Sequence, residues 1–167
     1  MMNELKITYS HKKQQQLANI FLILLILGLG FIYYAYFIKT TGLLMGRVSS
    51  IFVAVIGLVG FLKMKIAPKK SDEIAIRIDA NGIEGKTSMI AKAAGRIDWH
   101  DIGDFYVDPK NLTLELKNPQ KYADRMQNFF VRDTFLKGKK GVLDIPLGET
   151  EPNIDEIHSI LSHYLQR

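Results

Sequence analysis

Cysteine is absent from this sequence of 167 residues, and acidic residues are almost absent from its first 70 positions. Without thiols the chain forms no disulfide bond and offers no thiolate to a metal, a composition typical of proteins that face a reducing cytoplasm. Positions 1–70 hold nine Lys or Arg against Glu4 alone, whereas positions 71–167 hold thirteen basic and sixteen acidic residues. A nucleic-acid-binding domain needs its cations on the folded surface. We therefore expect no nucleic-acid partner.

Charge is also missing from two long apolar runs. Residues 17–38 contain no charged side chain, and residues 43–62 contain only Arg47, near the beginning of the run. A helix rises about 1.5 Å per residue, so each run is long enough to cross a hydrocarbon core of about 30 Å. Because only residues 39–42 separate the runs, we predict a tight hairpin of two transmembrane helices.

The lysines that flank these runs indicate the orientation of the helical pair. The connection and the start of the second run offer only Lys39 and Arg47. The flanking lysines are Lys6, Lys12, Lys13, Lys63, Lys65, Lys69 and Lys70. Cytoplasmic loops carry the excess of Lys and Arg, so the pattern places residues 1–16 and the C-terminal part in the cytoplasm. We expect a multi-pass protein of the cytoplasmic (inner) membrane with both termini on the cytoplasmic side.

Small residues recur along the second helix at close to the helical period. They are Gly46, Ser50, Ala54, Gly57 and Gly60. Small side chains let helix backbones approach closely in lipid. The favoured interpretation is packing against the first helix, where Gly28 and Gly30 lie opposite, and the alternative is a homo-oligomer formed through the second helix.

From Ser71 the hydrophobic pattern changes from helical runs to alternation. Isoleucine alternates with other residues over 74–78, and Asn81-Gly82 is a hairpin signal because both residues tolerate a positive φ. A second strand is predicted as far as about Ile90, followed by a connector. Four further strands are predicted within residues 95–99, 102–107, 112–117 and 141–147.

Two helices complete the predicted domain, residues 71–167. The first begins with Asn118 as cap and Pro119 at the first helical position, and the last begins at Asn153 with Glu156 as its capping-box partner. The apolar face of the first helix would consist of Tyr122, Met126, Phe129 and Phe130.

Strands followed by a C-terminal amphipathic helix indicate an α+β domain. Their order matches a pleckstrin-homology-like (PH-like) antiparallel β-barrel or sandwich, capped by the terminal helix. Such barrels have seven strands and only six are predicted after Ser71. Residues 4–10 also alternate and could supply an edge strand.

Several segments of the chain resemble a family of small bacterial membrane proteins, over nearly the full length. They are ITYSHKK before the first apolar run, ANGI, GRIDWHDI, LKNPQKYADR and the terminal helix. The resemblance implies two N-terminal transmembrane helices and a cytoplasmic PH-like domain. It implies no chemistry, since none of these segments is a catalytic motif.

His100 and Asp101 are the neighbouring pair that most suggests chemistry. In an alternating strand Ile97 and Trp99 point inward while Asp98 and His100 face outward, so His100 and Asp101 lie on opposite faces or at a bend. Such geometry is poor for a base and its orienting acid, and no serine or cysteine nucleophile accompanies the pair in a recognisable setting. Nor are the four histidines spaced as metal ligands. We predict a non-enzymatic protein with no catalytic residue, no metal site and no cofactor.

Residues 80–87, ANGIEGKT, match a loose phosphate-loop pattern. Such a loop needs a buried parallel strand before it and a helix after it. The preceding strand alternates as a one-sided antiparallel strand does, so we expect Lys86 to be a solvated strand residue.

The segment 117–140 combines cations with phenylalanines, seven Lys or Arg with only two Asp. A basic amphipathic segment tethered beside a bilayer could rest on anionic headgroups, each cation contributing about 1 kcal/mol. The alternative is a helix whose phenylalanines pack on the domain and whose cations are only solvated. The candidate contact residues are Lys121, Arg125, Phe129, Phe130, Arg132, Lys137, Lys139 and Lys140.

These features together predict a membrane-anchored interaction module. Its cytoplasmic PH-like domain would bind anionic lipid headgroups, or a partner protein or peptide, at the membrane surface. The alternative is an accessory or scaffold subunit that joins a larger membrane complex through the transmembrane helices.

Overall fold

The computed structural model describes residues 4–38 and 44–165. The chain divides into two units, one formed by residues 11–70 and the other by residues 1–10 together with residues 71–167. The first unit is a pair of helices, and the second contains two antiparallel sheets with short and long helices. The predicted α+β class and the N-terminal helical pair are therefore present.

The helical unit consists of two long apolar helices. Helix α1 (His11–Tyr33) continues as a π-helical turn (Tyr34–Ile38), and helix α2 comprises Leu44–Ile66. Both are long and apolar enough to cross a membrane, by length and composition. The predicted connection 39–42, and Leu43 at the start of the second predicted span, lie outside the described residues.

The backbones of α1 and α2 touch where small residues face each other. A Cβ placed on Gly57 would lie 2.5 Å from the backbone nitrogen of Leu25, and one placed on Gly28 would lie 2.5 Å from that of Ala54. Real side chains do not tolerate such distances from backbone atoms. Gly28, Ala54 and Gly57 therefore allow the closest approach of the two helices.

The other small residues of the helical pair have different surroundings. A Cβ on Gly60 would collide with the ring of Phe21, whereas one on Gly46 or Gly30 would meet no atom of the described residues within 4 Å. Ser50 is buried and its hydroxyl donates to the carbonyl three residues earlier, at 2.7 Å. The predicted stripe of small residues is thus used within the pair over Ser50–Gly60 and faces open space at Gly46.

Gln14 joins the beginning of α1 to the chain that follows α2. Its buried side chain donates from Nε2 to the carbonyl of Lys69 at 2.9 Å and accepts from the Lys69 N–H at 2.7 Å. One amide side chain thus satisfies both backbone groups of Lys69, and it ties the first turns of α1 to the chain that follows α2.

The first sheet of the α+β unit has four antiparallel strands in the order β1-β2-β3-β4. Its outer strand comes from the N-terminal segment, and Thr8 at the end of β1 is paired with Ile74 at the start of β2. Gly82 has a φ of +140°, and a Cβ there would collide with the carbonyl oxygen of Ile97, so the hairpin requires glycine. The strands are β1 (Leu5–Thr8), β2 (Ile74–Asp79), β3 (Gly82–Gly85) and β4 (Arg96–Ile97).

The second sheet has three antiparallel strands in the order β5-β6-β7. They are β5 (Ile102–Val107), β6 (Asn111–Leu116) and β7 (Val142–Pro146). The C-terminal helix, α6 (Ile154–Leu165), begins as predicted, with the Asn153 side chain accepting from the Glu156 N–H at 3.3 Å.

Alternate residues of both sheets point into one core. Ile157 and Leu161 of α6 are fully buried against it, as the helical spacing predicts. The fully buried strand residues include Ile76, Ile78, Ile83, Leu112, Leu114, Leu143 and Ile145.

A helix replaces part of the second predicted strand. Strand β3 ends at Gly85, and α3 (Met89–Ala94) follows where strand and connector were predicted. The Ser88 hydroxyl accepts from the Ala91 N–H at 3.1 Å, and Gly95, with φ of +70°, ends the helix. The prediction of a strand as far as Ile90 was wrong because these capping signals outweigh the apolar pattern. Lys86 is exposed just after β3, beyond an antiparallel hairpin rather than a phosphate loop.

The predicted helix after Asn118 is broken into two. Helix α4 (Pro119–Ala123) begins at the predicted cap, but a new helix, α5 (Phe129–Asp133), follows and continues as a π-helical turn (Thr134–Gly138). Asn128 caps α5, and five residues separate the end of α4 from the start of α5. A single helix with Tyr122, Met126, Phe129 and Phe130 on one face is therefore wrong, since Tyr122 and Met126 are buried whereas both phenylalanines are exposed.

Candidate functional site

Trp99, His100 and Asp101 form a 3₁₀ turn between β4 and β5, at the junction of two predicted strands. Side chains do not alternate faces in a turn with three residues per turn, so Asp101 points inward and is only 8% exposed. His100 remains exposed, yet its Nε2 lies 3.1 Å from Asp101 Oδ1. Of the two expected arrangements, opposite faces or a bend, the structure has the bend, because the strand ends at Ile97.

Asp101 is the centre of a network that joins the 3₁₀ turn to α4. Its Oδ2 accepts from Lys121 Nζ at 2.6 Å and from the Tyr122 hydroxyl at 2.6 Å. Lys121 Nζ also donates to Asp98 Oδ2 at 2.8 Å. The Asp98 N–H donates to the Tyr122 hydroxyl at 3.1 Å, which closes the network.

These contacts fix the charges of the network. Hydrogen bonds from Lys121 and Tyr122 hold the pKa of the Asp101 carboxyl below its ordinary value, against the opposing effect of burial. The bonds to Asp101 and Asp98 raise the pKa of the Lys121 ammonium. Burial, reinforced by the bond to Asp101, raises the pKa of the Tyr122 phenol. At neutral pH the network is therefore a carboxylate held by an ammonium and a neutral phenol.

Lys121 occupies the carboxylates at which a metal ion would bind in this network. Ligand atoms of Asp98, His100 and Asp101 lie within 4.8 Å of one another, a spacing that could hold a metal ion. The Lys121 ammonium already lies at hydrogen-bond distance from both carboxylates, so a divalent cation would have to displace it. The arrangement therefore works as a salt-bridged joint between two elements.

Sequence reasoning missed this joint. Asp101 and Lys121 lie twenty residues apart, on an irregular turn and a short helix, and no periodicity connects them. Lys121 was instead grouped with the surface cations of the segment 117–140. The only local signal was the Asn118-Pro119 helix start, which places Lys121 and Tyr122 in the first turn of α4.

Trp99 ties the same turn to two other elements. Its ring stacks on Tyr164 of α6, with centroids 4.3 Å apart. Its Nε1–H donates to the carbonyl of Asp79, at the end of β2, at 2.9 Å. The 3₁₀ turn is thus held by the first sheet, by α4 and by α6.

Phe129 and Phe130 form an exposed aromatic pair in the first turn of α5. They are 72% and 80% exposed, with ring centroids 6.1 Å apart in an edge-to-face arrangement. The Asn128 side chain accepts from the N–H groups of Phe130 and Val131, at 2.9 and 3.3 Å, and so fixes the turn. Phe135, five residues further on, is fully buried and anchors the segment in the core. The Asn128 cap and the buried Phe135 therefore hold the backbone that carries the two rings.

Two predicted contact cations also make contacts within the fold. Lys121 belongs to the Asp101 network. Arg125 donates to the carbonyls of Ala94 and Arg96, at 3.2 and 2.8 Å, and its guanidinium lies 4.7 Å from the centre of the Tyr122 ring. Both side chains stabilise the position of α4.

The remaining predicted contact cations are exposed, and three have carboxylate partners. Lys140 is exposed in a turn, with φ of +51°. The ion pairs are Arg132–Asp124 at 3.7 Å, Lys137–Asp133 at 2.7 Å and Lys139–Asp144 at 2.8 Å. The structure thus brings the phenylalanines to the surface while it pairs most of the charge beside them.

No protein-family model, curated protein or solved structure matches this chain. The family suggested by resemblance stays a prediction. The geometry itself establishes an α+β unit and an N-terminal pair of helices that could span a membrane.

Proposed function

We propose that this chain is a membrane-anchored interaction module that acts without catalysis at the cytoplasmic face of the inner membrane. Helices α1 and α2 anchor it, and the α+β unit makes its contact at the membrane surface through the Phe129–Phe130 pair. The observation that carries the proposal is the exposure of these two adjacent rings, 72% and 80%, on the α+β unit. Exposed clusters of large apolar side chains mark interaction sites.

Two short connections support a position beside the bilayer. Strand β1 ends at Thr8 and α1 begins at His11, while seven residues separate Ile66 of α2 from Ile74 of β2. Seven residues span at most about 25 Å. Because Thr8 is paired with Ile74, both connections leave the α+β unit from one end of the same strand pair. The α+β unit therefore has a high effective concentration at the membrane that holds α1 and α2.

The energetics suit a tethered contact. Full burial of one phenylalanine side chain contributes about 1.5–3 kcal/mol, so the pair contributes about 3–6 kcal/mol. That is comparable to the roughly 4 kcal/mol of a millimolar complex and would hold a freely diffusing protein only weakly. For a unit already confined to the membrane surface it is sufficient, because association is intramolecular.

Charge and topology support the finer parts of the proposal. The lysines that flank the helices favour cytoplasmic termini. The α+β unit has seven described strands, four in one sheet and three in the other, and a terminal helix follows them. This number and order of elements is expected of a PH-like domain. Within the described residues neither sheet closes into a barrel, so the PH-like assignment rests on order and count.

The accessory-subunit alternative has weaker support. It requires small residues on the helical pair to receive another membrane helix. Gly28, Ala54 and Gly57 are instead occupied by the contact between α1 and α2. Gly30 and Gly46 face open space and are what remains for such a partner.

Site-specific photocrosslinking tests the proposal. Benzoylphenylalanine replaces Phe130 in the full-length chain, and in a matched control it replaces Tyr106, another exposed aromatic residue, on β5. Illumination of native membranes should give a discrete lipid or protein adduct from position 130 and little from position 106. Equal or absent adducts at both positions would contradict an interaction site at α5.

A further inference from the structure

We propose that the Phe129–Phe130 pair inserts into the boundary between headgroups and acyl chains of the membrane that holds α1 and α2, and that this contact is apolar rather than electrostatic. The inference rests on the proposed function and names the partner of the same surface. It departs from the sequence-based expectation, in which cations of the segment 117–140 bind anionic headgroups.

The ion pairs of the segment are the first reason. Seven Lys or Arg lie in 117–140, and among the described residues four of these cations have a carboxylate within 4 Å, with two carboxylates beside Lys121. The carboxylates are Asp98, Asp101, Asp124, Asp133 and Asp144. A cation beside a carboxylate gives little net attraction to an anionic surface, because the headgroup meets both charges at once.

The placement of the rings is the second reason. The pair lies in the first turn of a five-residue helix that Asn128 caps and that the buried Phe135 anchors two residues beyond its end. The rings therefore project while their backbone is held. The fluid interface of a bilayer can surround a projecting aromatic pair. Aromatic side chains are also favoured at the level of lipid headgroups.

A residue on a neighbouring helix is also apolar and exposed. Helix α3 packs beside α5, and its first residue, Met89, is 78% exposed. The described surface thus offers three large apolar side chains on two adjacent short helices. The unit carrying them is tethered to helices long enough to span a bilayer, which favours that bilayer as the occupant.

A depth measurement in defined vesicles tests the inference. Because the chain has no cysteine, Gln127→Cys provides a single site for a spin label next to the pair, and Ser159→Cys on α6 provides a control site. The full-length chain is reconstituted in phosphatidylcholine alone or in an equimolar mixture with phosphatidylglycerol, at low and high salt. The label at 127 should be protected from a water-soluble paramagnetic reagent in both vesicles and at both salt concentrations, and the label at 159 should be accessible.

Two sets of variants in the Gln127→Cys chain separate the contributions. Phe129→Ser with Phe130→Ser should make the label accessible, whereas Lys139→Gln with Lys140→Gln should leave it protected. Since all four side chains are exposed, the fluorescence of Trp99 should show a folded unit in each case. Protection that needs phosphatidylglycerol, disappears at high salt or survives loss of both phenylalanines would overturn the apolar contact.

The experiment also distinguishes failure of this inference from failure of the proposed function. Accessibility at 127 in every vesicle, together with a protein adduct from position 130 in native membranes, would replace the lipid by a protein partner and keep the interaction module. Accessibility at 127 with no adduct from position 130 would overturn both.

Discussion

Asp101 is the residue on which the joint between the 3₁₀ turn and α4 depends. Its carboxylate meets Lys121 and Tyr122 at 2.6 Å each, in a place that is 8% exposed. Breaking such a buried pair costs more than the pair contributes, because the remaining partner keeps its charge without compensation. The joint is therefore sensitive to changes on either side.

Replacing Asp101 with Asn should destabilise the α+β unit by about 2 kcal/mol at neutral pH. The pKa of Asp101 is lowered in the folded state, so the carboxylate contributes stability above its unfolded pKa of about 3.9, and this contribution is lost as pH falls through the folded value. The unsubstituted protein should therefore lose stability below about pH 4, and Asp101→Asn should lose less there. Urea unfolding in detergent, followed by Trp99 fluorescence at several pH values, measures both effects.

Asp72→Asn is the matched control, since Asp72 is an exposed carboxylate on a turn of the same unit. Its free energy of unfolding should stay within about 0.5 kcal/mol of the unsubstituted protein. If Asp101→Asn unfolds at the same urea concentration as this control, the network does not stabilise the unit.

Tyr9 shows how one side chain holds the N-terminal strand in the unit. Its ring is 3% exposed, and its hydroxyl donates to the carbonyl of Lys86 at 3.1 Å. Burial, with smaller contributions from Glu149 and Glu73, raises the pKa of the phenol to about 12. The hydroxyl therefore stays a donor over the physiological pH range, and the contact does not depend on pH.

At the scale of elements, capping side chains decided where the sequence-based predictions succeeded or failed. The starts of α4 and α6 were predicted from Asn118 and Asn153, and their side chains accept from the expected N–H groups. Ser88 and Asn128 carry the same signal, and they begin the two short helices that were not predicted. Both lie inside apolar patterns that favour a longer strand or helix, so pattern alone gave the wrong element.

The contact between α1 and α2 gives a prediction with an internal control. Gly57→Leu should weaken the helical pair by about 2 kcal/mol, because its Cβ alone would meet the backbone of Leu25. Gly46→Leu should have little effect, because a Cβ there meets no atom within 4 Å in the part of the chain that the structure describes. Thermal unfolding of the helical circular-dichroism signal in detergent compares the two.

The outcome of this comparison also bears on assembly. Similar unfolding of both variants would contradict the close approach at Gly57. If Gly46→Leu alone abolished a homo-oligomer seen by crosslinking, the homo-oligomer interpretation of the second helix would be favoured instead.

At the scale of the whole molecule, the sequence predicted class and order better than contacts. Long uncharged runs and alternating isoleucines are local signals, and they predicted the helical pair and most strands. In the pairing of β1 with β2, Leu5 lies opposite Ile78, and both long helices lie between these two residues in the sequence. No local pattern specifies such a pairing. The exposure of Phe129 and Phe130 likewise depends on the break before Asn128, so the central feature of the surface became visible only in three dimensions.

Side-specific cysteine labelling tests most directly whether the α+β unit lies on the cytoplasmic side of a membrane that the two helices cross. Ser159→Cys and Thr40→Cys are made separately in the cysteine-free chain and exposed to a membrane-impermeant maleimide in intact spheroplasts and after lysis. Position 40, between the helices, should react in intact spheroplasts, and position 159 should react only after lysis. Labelling of position 159 in intact spheroplasts, or of both positions only after lysis, would contradict this arrangement.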